Sequence, residues 1–151
     1  MIPSRLFSIN EQEELNAIYI IALLTYFDKK CDIQNLVYAF YLLKNGIFLD
    51  FSPTNKISEE FITNTVKRTL SYPTVISQPF KKGVGFLLHH KFITAKKNNN
   101  KLFYCINEEK THNFLIPDKV DSRAQIVINQ INEYGRDKLK ILFRKQEHLY
   151  E

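Results

Sequence analysis

Residues 80–106 read FKKGVGFLLHHKFITAKKNNNKLFYCI, and this stretch decides how the rest of the chain is read. Phe80, Val84, Leu87 and Leu88 recur at i, i+4, i+7 and i+8, the spacing of a helix face packed on a core. Pro79 suits the opening turn of that helix, where a missing N–H leaves no bond unmade. Lys81, Lys82, Gly85 and His89 fall on the opposite side. Gly83 and Gly85 each weaken the helix by about 1 kcal/mol relative to Ala. Residues 91–95 and 102–106, rich in aromatic and β-branched side chains, read as strands. Between them lies Lys96-Lys97-Asn98-Asn99-Asn100-Lys101, a hairpin tip, because asparagine accepts positive φ better than most residues.

The same stretch holds most of an acid-free block. From Phe61 to Asn107 there is no Asp or Glu, while Lys67, Arg68, Lys81, Lys82, Lys91, Lys96, Lys97 and Lys101 supply eight positive charges. The rest of the chain has thirteen basic and sixteen acidic residues, so the net charge of +5 conceals a basic segment and a mildly acidic remainder. Two readings fit: a polyanion-binding surface, or an ordinary solvated lysine face.

Upstream, Asn10 followed by Glu13 forms a capping box that predicts the start of a first helix. Leu15, Ile18, Tyr19, Ala22 and Tyr26 make one stripe, yet Ile20, Ile21, Leu24 and Phe27 lie off it. A helix apolar nearly all round is hard to bury in a small chain, so part of it is expected to face another subunit. Asp32 caps a second helix, whose face is Ile33, Leu36, Val37, Phe40 and Leu43, and Asn45-Gly46 stops it. Residues 47–51 read as a short strand. Ser58, Glu59 and Glu60 open a third helix, with Ile62, Val66 and Leu70 as its stripe and Tyr72-Pro73 as its end. After Pro117, Asp121 caps a long C-terminal helix carrying Ala124, Val127, Ile128, Ile131 and Tyr134. It is interrupted at Gly135 and resumed by Leu139, Leu142 and Phe143.

With 151 residues, 44% hydrophobic content and twelve Phe, the chain reads as one folded domain. Its parts are an N-terminal helix (1–30), a core (31–107) and a C-terminal helical arm (118–151). The N-terminus lacks a signal-peptide layout, and the most apolar run, residues 17–24, is far short of a bilayer span. A cytoplasmic protein with no membrane contact is expected. Cys31 and Cys105 are read as two reduced thiols, with neither disulfide nor metal.

Nothing in the chain spells catalysis. Lys82-Gly83-Val84-Gly85 lacks the spacing and the preceding strand of a phosphate loop. His89 and His90 diverge by about 100° on a helix and cannot share a metal. Glu59-Glu60 and Glu108-Glu109 read as a helix start and a solvated turn. Tyr38, Phe40 and Tyr41 are core aromatics or, alternatively, a stacking platform for single strands. No enzyme, cofactor or metal is expected.

From residue 33 to residue 106 the expected order is helix, short strand, helix, helix, strand, basic turn, strand. That is the winged-helix order, and the leucines, aromatic–isoleucine pair and hairpin of residues 80–106 resemble that fold. The fold expected is therefore α+β and mainly helical: a winged helix-turn-helix core with an extra N-terminal helix and a long C-terminal one. Its recognition helix would present Lys81, Lys82 and His89, with Gly85 permitting close approach, and the turn would present Lys96, Lys97 and Lys101. Few base-reading side chains lie there, so double-stranded DNA would be held with little sequence preference.

The whole layout resembles the small middle components of bacterial three-component ABC-ATPase systems, the Lamassu-type anti-phage defence group. The residues carrying the likeness are Ala17-Ile18-Tyr19-Ile20-Ile21-Ala22-Leu23-Leu24 and the terminal helix from Ala124-Gln125-Ile126-Val127 to Tyr134-Gly135-Arg136. The resemblance implies a non-catalytic adaptor bound to an SMC-like ATPase and an effector, often a nuclease. Partner contacts are assigned to Ile20, Ile21, Leu24 and Phe27 and to Leu139, Leu142 and Phe143. The alternative is a free-standing dimeric winged-helix transcriptional regulator, with the C-terminal helix as its dimerisation arm. A third option is an acidic protein, rather than DNA, on the positive face.

Overall fold

The computed structural model of the chain describes residues 4–28, 30–48, 73–111 and 114–149. Its elements are α1 (Ser4–Tyr26), β1 (Lys30–Asp32), α2 (Ile33–Phe48), α3 (Pro73–His89), β2 (Ile93–Asn98) and β3 (Lys101–Ile106), then α4 (Glu108–Thr111), α5 (Asp118–Tyr134) and α6 (Arg136–Leu149). The protein is α+β and mainly helical, with one antiparallel sheet in the order β1–β3–β2.

α1 is the axis around which the other elements pack. Ala17, Tyr19, Ile20, Ile21, Ala22, Leu23 and Leu24 are each no more than 4% exposed, so this part of the helix is enclosed on all sides. α3, α5 and α2 supply three walls, through Phe80, Val84 and Leu87, through Ala124, Val127 and Ile131, and through Leu36, Phe40 and Leu43. The expectation that part of this helix faces another subunit is corrected for residues 19–24; Ile18 is half-buried and Leu15 is 40% exposed. Each amphipathic helix brings one apolar stripe, and three stripes together cover a helix that is apolar all round.

α3 approaches α1 closely at Gly83. A Cβ there would lie 2.9 Å from Ile20 Cδ1 and 3.0 Å from the carbonyl carbon of Asn16. The glycine that weakens α3 as an isolated helix is therefore the place where its backbone meets that of α1. α1 itself stops at Asp28, whose φ of 59° turns the chain out of the helix.

Asp32 caps α2 as expected: the Asn35 N–H donates to its Oδ1 at 2.9 Å. Its other oxygen, Oδ2, takes the Lys140 ammonium at 2.8 Å, with both side chains largely buried. One carboxylate thus joins β1, α2 and α6. β1 was not anticipated; it lies against the middle of β3, with Cys31 opposite Tyr104.

Several boundaries depart from the sequence reading. α2 continues through Asn45-Gly46, so Ile47 and Phe48 are helical and do not begin a strand. A helical glycine costs only about 1 kcal/mol, which burial of the preceding turns overrides. Residues 49–51 and the helix expected from Ser58 lie outside the described residues. α1 starts at Ser4 instead of Asn10. α3 starts at Pro73, not Pro79, and Pro79 is accommodated inside it. α5 begins at Asp118, so Asp121 is not its cap; its carboxylate accepts the Tyr26 hydroxyl at 2.9 Å. The expected interruption at Gly135 is present: with φ 110° it separates α5 from α6. These two helices share the core with α1 and α2, so residues 118–149, the described part of the expected C-terminal arm, do not project as an arm.

Two stability outcomes follow from this packing. Gly83→Ala lowers unfolding free energy by roughly 1–3 kcal/mol through overpacking, whereas Gly85→Ala, with nothing within 4 Å of its new methyl, gains about 1 kcal/mol; urea titrations read both. Lys44 of α2 is half-buried, donates to Asn16 Oδ1 at 3.2 Å, and has its pKa lowered to about 8 by desolvation. Between pH 8 and the ordinary lysine value near 10.4 the unfolded chain binds more protons, so this group makes stability rise with pH. Below pH 8 both states are protonated and the full penalty is present. Urea midpoints at pH 7.5 and 9.5 should therefore converge for Lys44→Met relative to the unsubstituted chain.

Candidate nucleic-acid interface

The buried side of α3 is Phe80, Gly83, Val84 and Leu87, and the exposed side carries Lys81, Lys82, Gly85 and His89, as the spacing predicts. Leu88 departs from this division, at 38% exposed. Phe86, half-buried, sits one turn after Lys82 and one turn before His90, so these three side chains lie along one line of the helix. The Phe86 and His90 rings are 4.5 Å apart between centroids. Phe92 continues the group 6.4 Å from Phe86, and Phe114 meets Phe92 edge-on at 5.1 Å.

This aromatic group was missed in the sequence, although the i, i+4 spacing of Lys82, Phe86 and His90 signals it. Its assembly depends on how α3 ends. The Phe92 N–H donates to the Leu87 carbonyl at 2.9 Å and the Lys91 N–H to the Leu88 carbonyl at 3.1 Å. That is the paired bonding of a Schellman motif, with Lys91 at the left-handed position that glycine usually fills. Lys91 has φ 61°. Asn107 holds the turn from the far side: its N–H bonds the Phe92 carbonyl at 2.9 Å and its Nδ2 the Lys91 carbonyl at 3.1 Å.

The hairpin tip is a two-residue turn. Asn98 pairs with Lys101, and Asn99 and Asn100 have φ 51° and 65°, the all-positive pattern of a type I′ turn. Strand alternation puts Lys96 and Lys101 on one face and Lys97 on the other, with Leu102. β1 reaches only to Phe103, so the tip stands clear of the third strand, and residues 94–101 are all exposed. Among the described residues, no carboxylate engages Lys81, Lys82, Lys91, Lys96, Lys97 or Lys101. Lys67 and Arg68 lie outside the described residues.

The proposed partner contacts require correction. Ile20, Ile21, Leu24, Phe27, Leu139, Leu142 and Phe143 are all buried in the chain's own core, none above 9% exposed. Phe143 stacks on Tyr38 with centroids 4.2 Å apart, and the Arg136 guanidinium lies 4.8 Å over the Phe27 ring. Their hydrophobicity is satisfied within the fold and is not available to a partner. Tyr38 and Phe40 likewise belong to the core and make no stacking platform.

Cys31 faces the core, where burial pushes its thiol up to about 12, and Cys105 lies on the other face of the sheet; both are free. The His89 and His90 rings meet edge to face at 5.1 Å. Among the described residues, no three His, Cys, Asp or Glu side chains converge. No described helix is long and apolar enough to cross a membrane. No protein-family model, curated protein or solved structure matches the chain.

A lysine in left-handed backbone costs about 1 kcal/mol or more. Lys91→Gly should therefore raise the unfolding free energy by about that amount, read from the shift of the urea midpoint.

Proposed function

We propose that the protein is a non-catalytic subunit that contacts DNA through the exposed side of α3 and the tip of the β2–β3 hairpin. The observation that carries this reading is a set of six exposed lysines, unengaged by any described carboxylate and held on two well-fixed scaffolds. The helix and the tight turn already order the backbone that carries these lysines, so only side-chain freedom is lost when they meet phosphate. The affinity they confer is electrostatic and falls steeply with salt. The order of the described elements, α1, β1, α2, α3, β2, β3, with residues 49–72 between α2 and α3 outside them and the sheet ordered β1–β3–β2, supports a winged-helix reading. In it the short strand is β1, one helix earlier than the sequence suggested, and the hairpin is the wing.

The wider reading, an adaptor of an SMC-like ATPase complex of the anti-phage defence kind working with a nuclease effector, rests on the sequence resemblance. With the apolar face of α1 consumed by the core, its partner surface has to be sought on the outside, where Leu115 is 87% and Ile141 58% exposed. The free-standing dimeric regulator loses its dimerisation arm for the same reason, since Leu139, Leu142 and Phe143 point inward.

The test is binding to a random-sequence duplex across a salt series. Lys96→Glu/Lys97→Glu/Lys101→Glu should weaken binding at least tenfold near 0.1 M salt and flatten the slope by up to about three phosphate contacts. Unchanged affinity and slope would remove DNA from this face. Co-purification from the native host, with no associated protein recovered, would count against the adaptor.

A further inference from the structure

We infer that the C-terminal end of α3 is a site for an unpaired nucleotide of single-stranded DNA, built from Lys82, Phe86, His90, Lys91 and Phe92. This deepens the reading above and rests on it. Three observations converge on that spot. The first is chemical layout: Lys82, Phe86 and His90 follow one another at four-residue intervals, about 6 Å of rise each, so a cation, a phenyl ring and an imidazole form a line. The Phe86 and His90 rings, 4.5 Å apart and inclined by 50°, present a partly exposed aromatic surface with Phe92 beside it.

The second is charge. Lys82 and Lys91 flank the rings at either end, both exposed, with no described carboxylate on them. An exposed imidazole face between two cations matches a nucleobase between two phosphates, and base–aromatic stacking is tolerant of base identity. A duplex keeps its bases stacked on one another and would meet only the lysines. The choice of DNA over RNA carries over from the reading above.

The third is backbone conformation. Lys91 holds φ 61° at a helix end where glycine would be more stable, and Asn107 bonds both Lys91 and Phe92 to keep it there. Non-glycine residues held in left-handed backbone cluster at functional sites. Here it points a cation from the turn that also sets the Phe92 ring.

The test uses the full chain and a twelve-nucleotide oligothymidine carrying one central 2-aminopurine, with fluorescence quenching as the stacking readout and anisotropy as the affinity readout. The expected result is quenching on binding, and a dissociation constant raised roughly five- to thirtyfold in His90→Ala. His90→Phe should restore both. Lys91→Gly is the sharper variant, since it should bind more weakly while melting at a higher temperature, a combination that a purely structural lysine does not produce. If the duplex binds as the preceding subsection expects, but the oligothymidine shows no quenching and His90→Ala is neutral, the single-strand site is wrong and duplex binding survives. If neither nucleic acid binds, both readings fall together. An oligouridine of equal length binding as tightly would overturn the choice of DNA, and displacement of the oligothymidine by an acidic polypeptide at lower charge concentration would overturn the nucleotide altogether.

Discussion

At Gly83 the backbone of α3 sits directly against Asn16 and the Ile20 side chain of α1, with no room for a Cβ between, and much of the architecture depends on that contact. It fixes α3 in rotation as well as position, because Phe80, Val84 and Leu87 must then turn inward. With the inward face set, the line of Lys82, Phe86 and His90 has one direction left to it. The helix end is set in turn: Phe92 closes back on Leu87, Asn107 clamps the turn, and the hairpin leaves from there. The basic tip and the basic helix face are thus positioned by the same packed core, at the end of a short series of contacts.

The lysines of this protein divide into two uses. Lys140 and Lys44 are drawn inside, the first against the carboxylate of Asp32 and the second onto the amide oxygen of Asn16. Each helps to fasten one helix to another element, and each carries a desolvation penalty, which for Lys44 appears as a lowered pKa. The lysines of α3 and of the hairpin stay in water, where their charge is free to meet a polyanion. Asp32 illustrates how much one acid can do when it is placed well: it ends a strand, caps a helix and anchors α6.

Burial of α1 changes the functional reading as well as the structural one. A helix apolar on all sides looks like a docking element when it is considered alone, because a single neighbour cannot cover it. Three neighbours can, and α5, which looked like part of an arm, supplies one of the three walls, with α6 packed on α2 and α5 behind it. What α3 and the hairpin leave outside is basic, with partly exposed rings beside it, while the most exposed apolar side chains, Leu115 and Ile141, lie elsewhere.

Local pattern was enough to establish the inward and outward faces of α3, the positive-φ asparagine turn, the cap at Asp32 and the break at Gly135. Each depends on spacing or on a dihedral preference carried by the residues themselves, and packing left it in place, whereas packing overrode the stop at Asn45-Gly46 and the cap at Asp121. Tertiary structure alone decided the rest. β1 is three residues long and has no local signature; it exists because β3, distant in sequence, offers it a partner. α2 runs past Gly46 and α3 contains Pro79 because burial elsewhere along each helix outweighs one poor position. The Phe86–His90–Phe92 group needs the chain reversal at Lys91 to come together. Periodicity tells which side of a helix seeks cover, but only the assembled neighbours determine what covers it and which rings are left in the open.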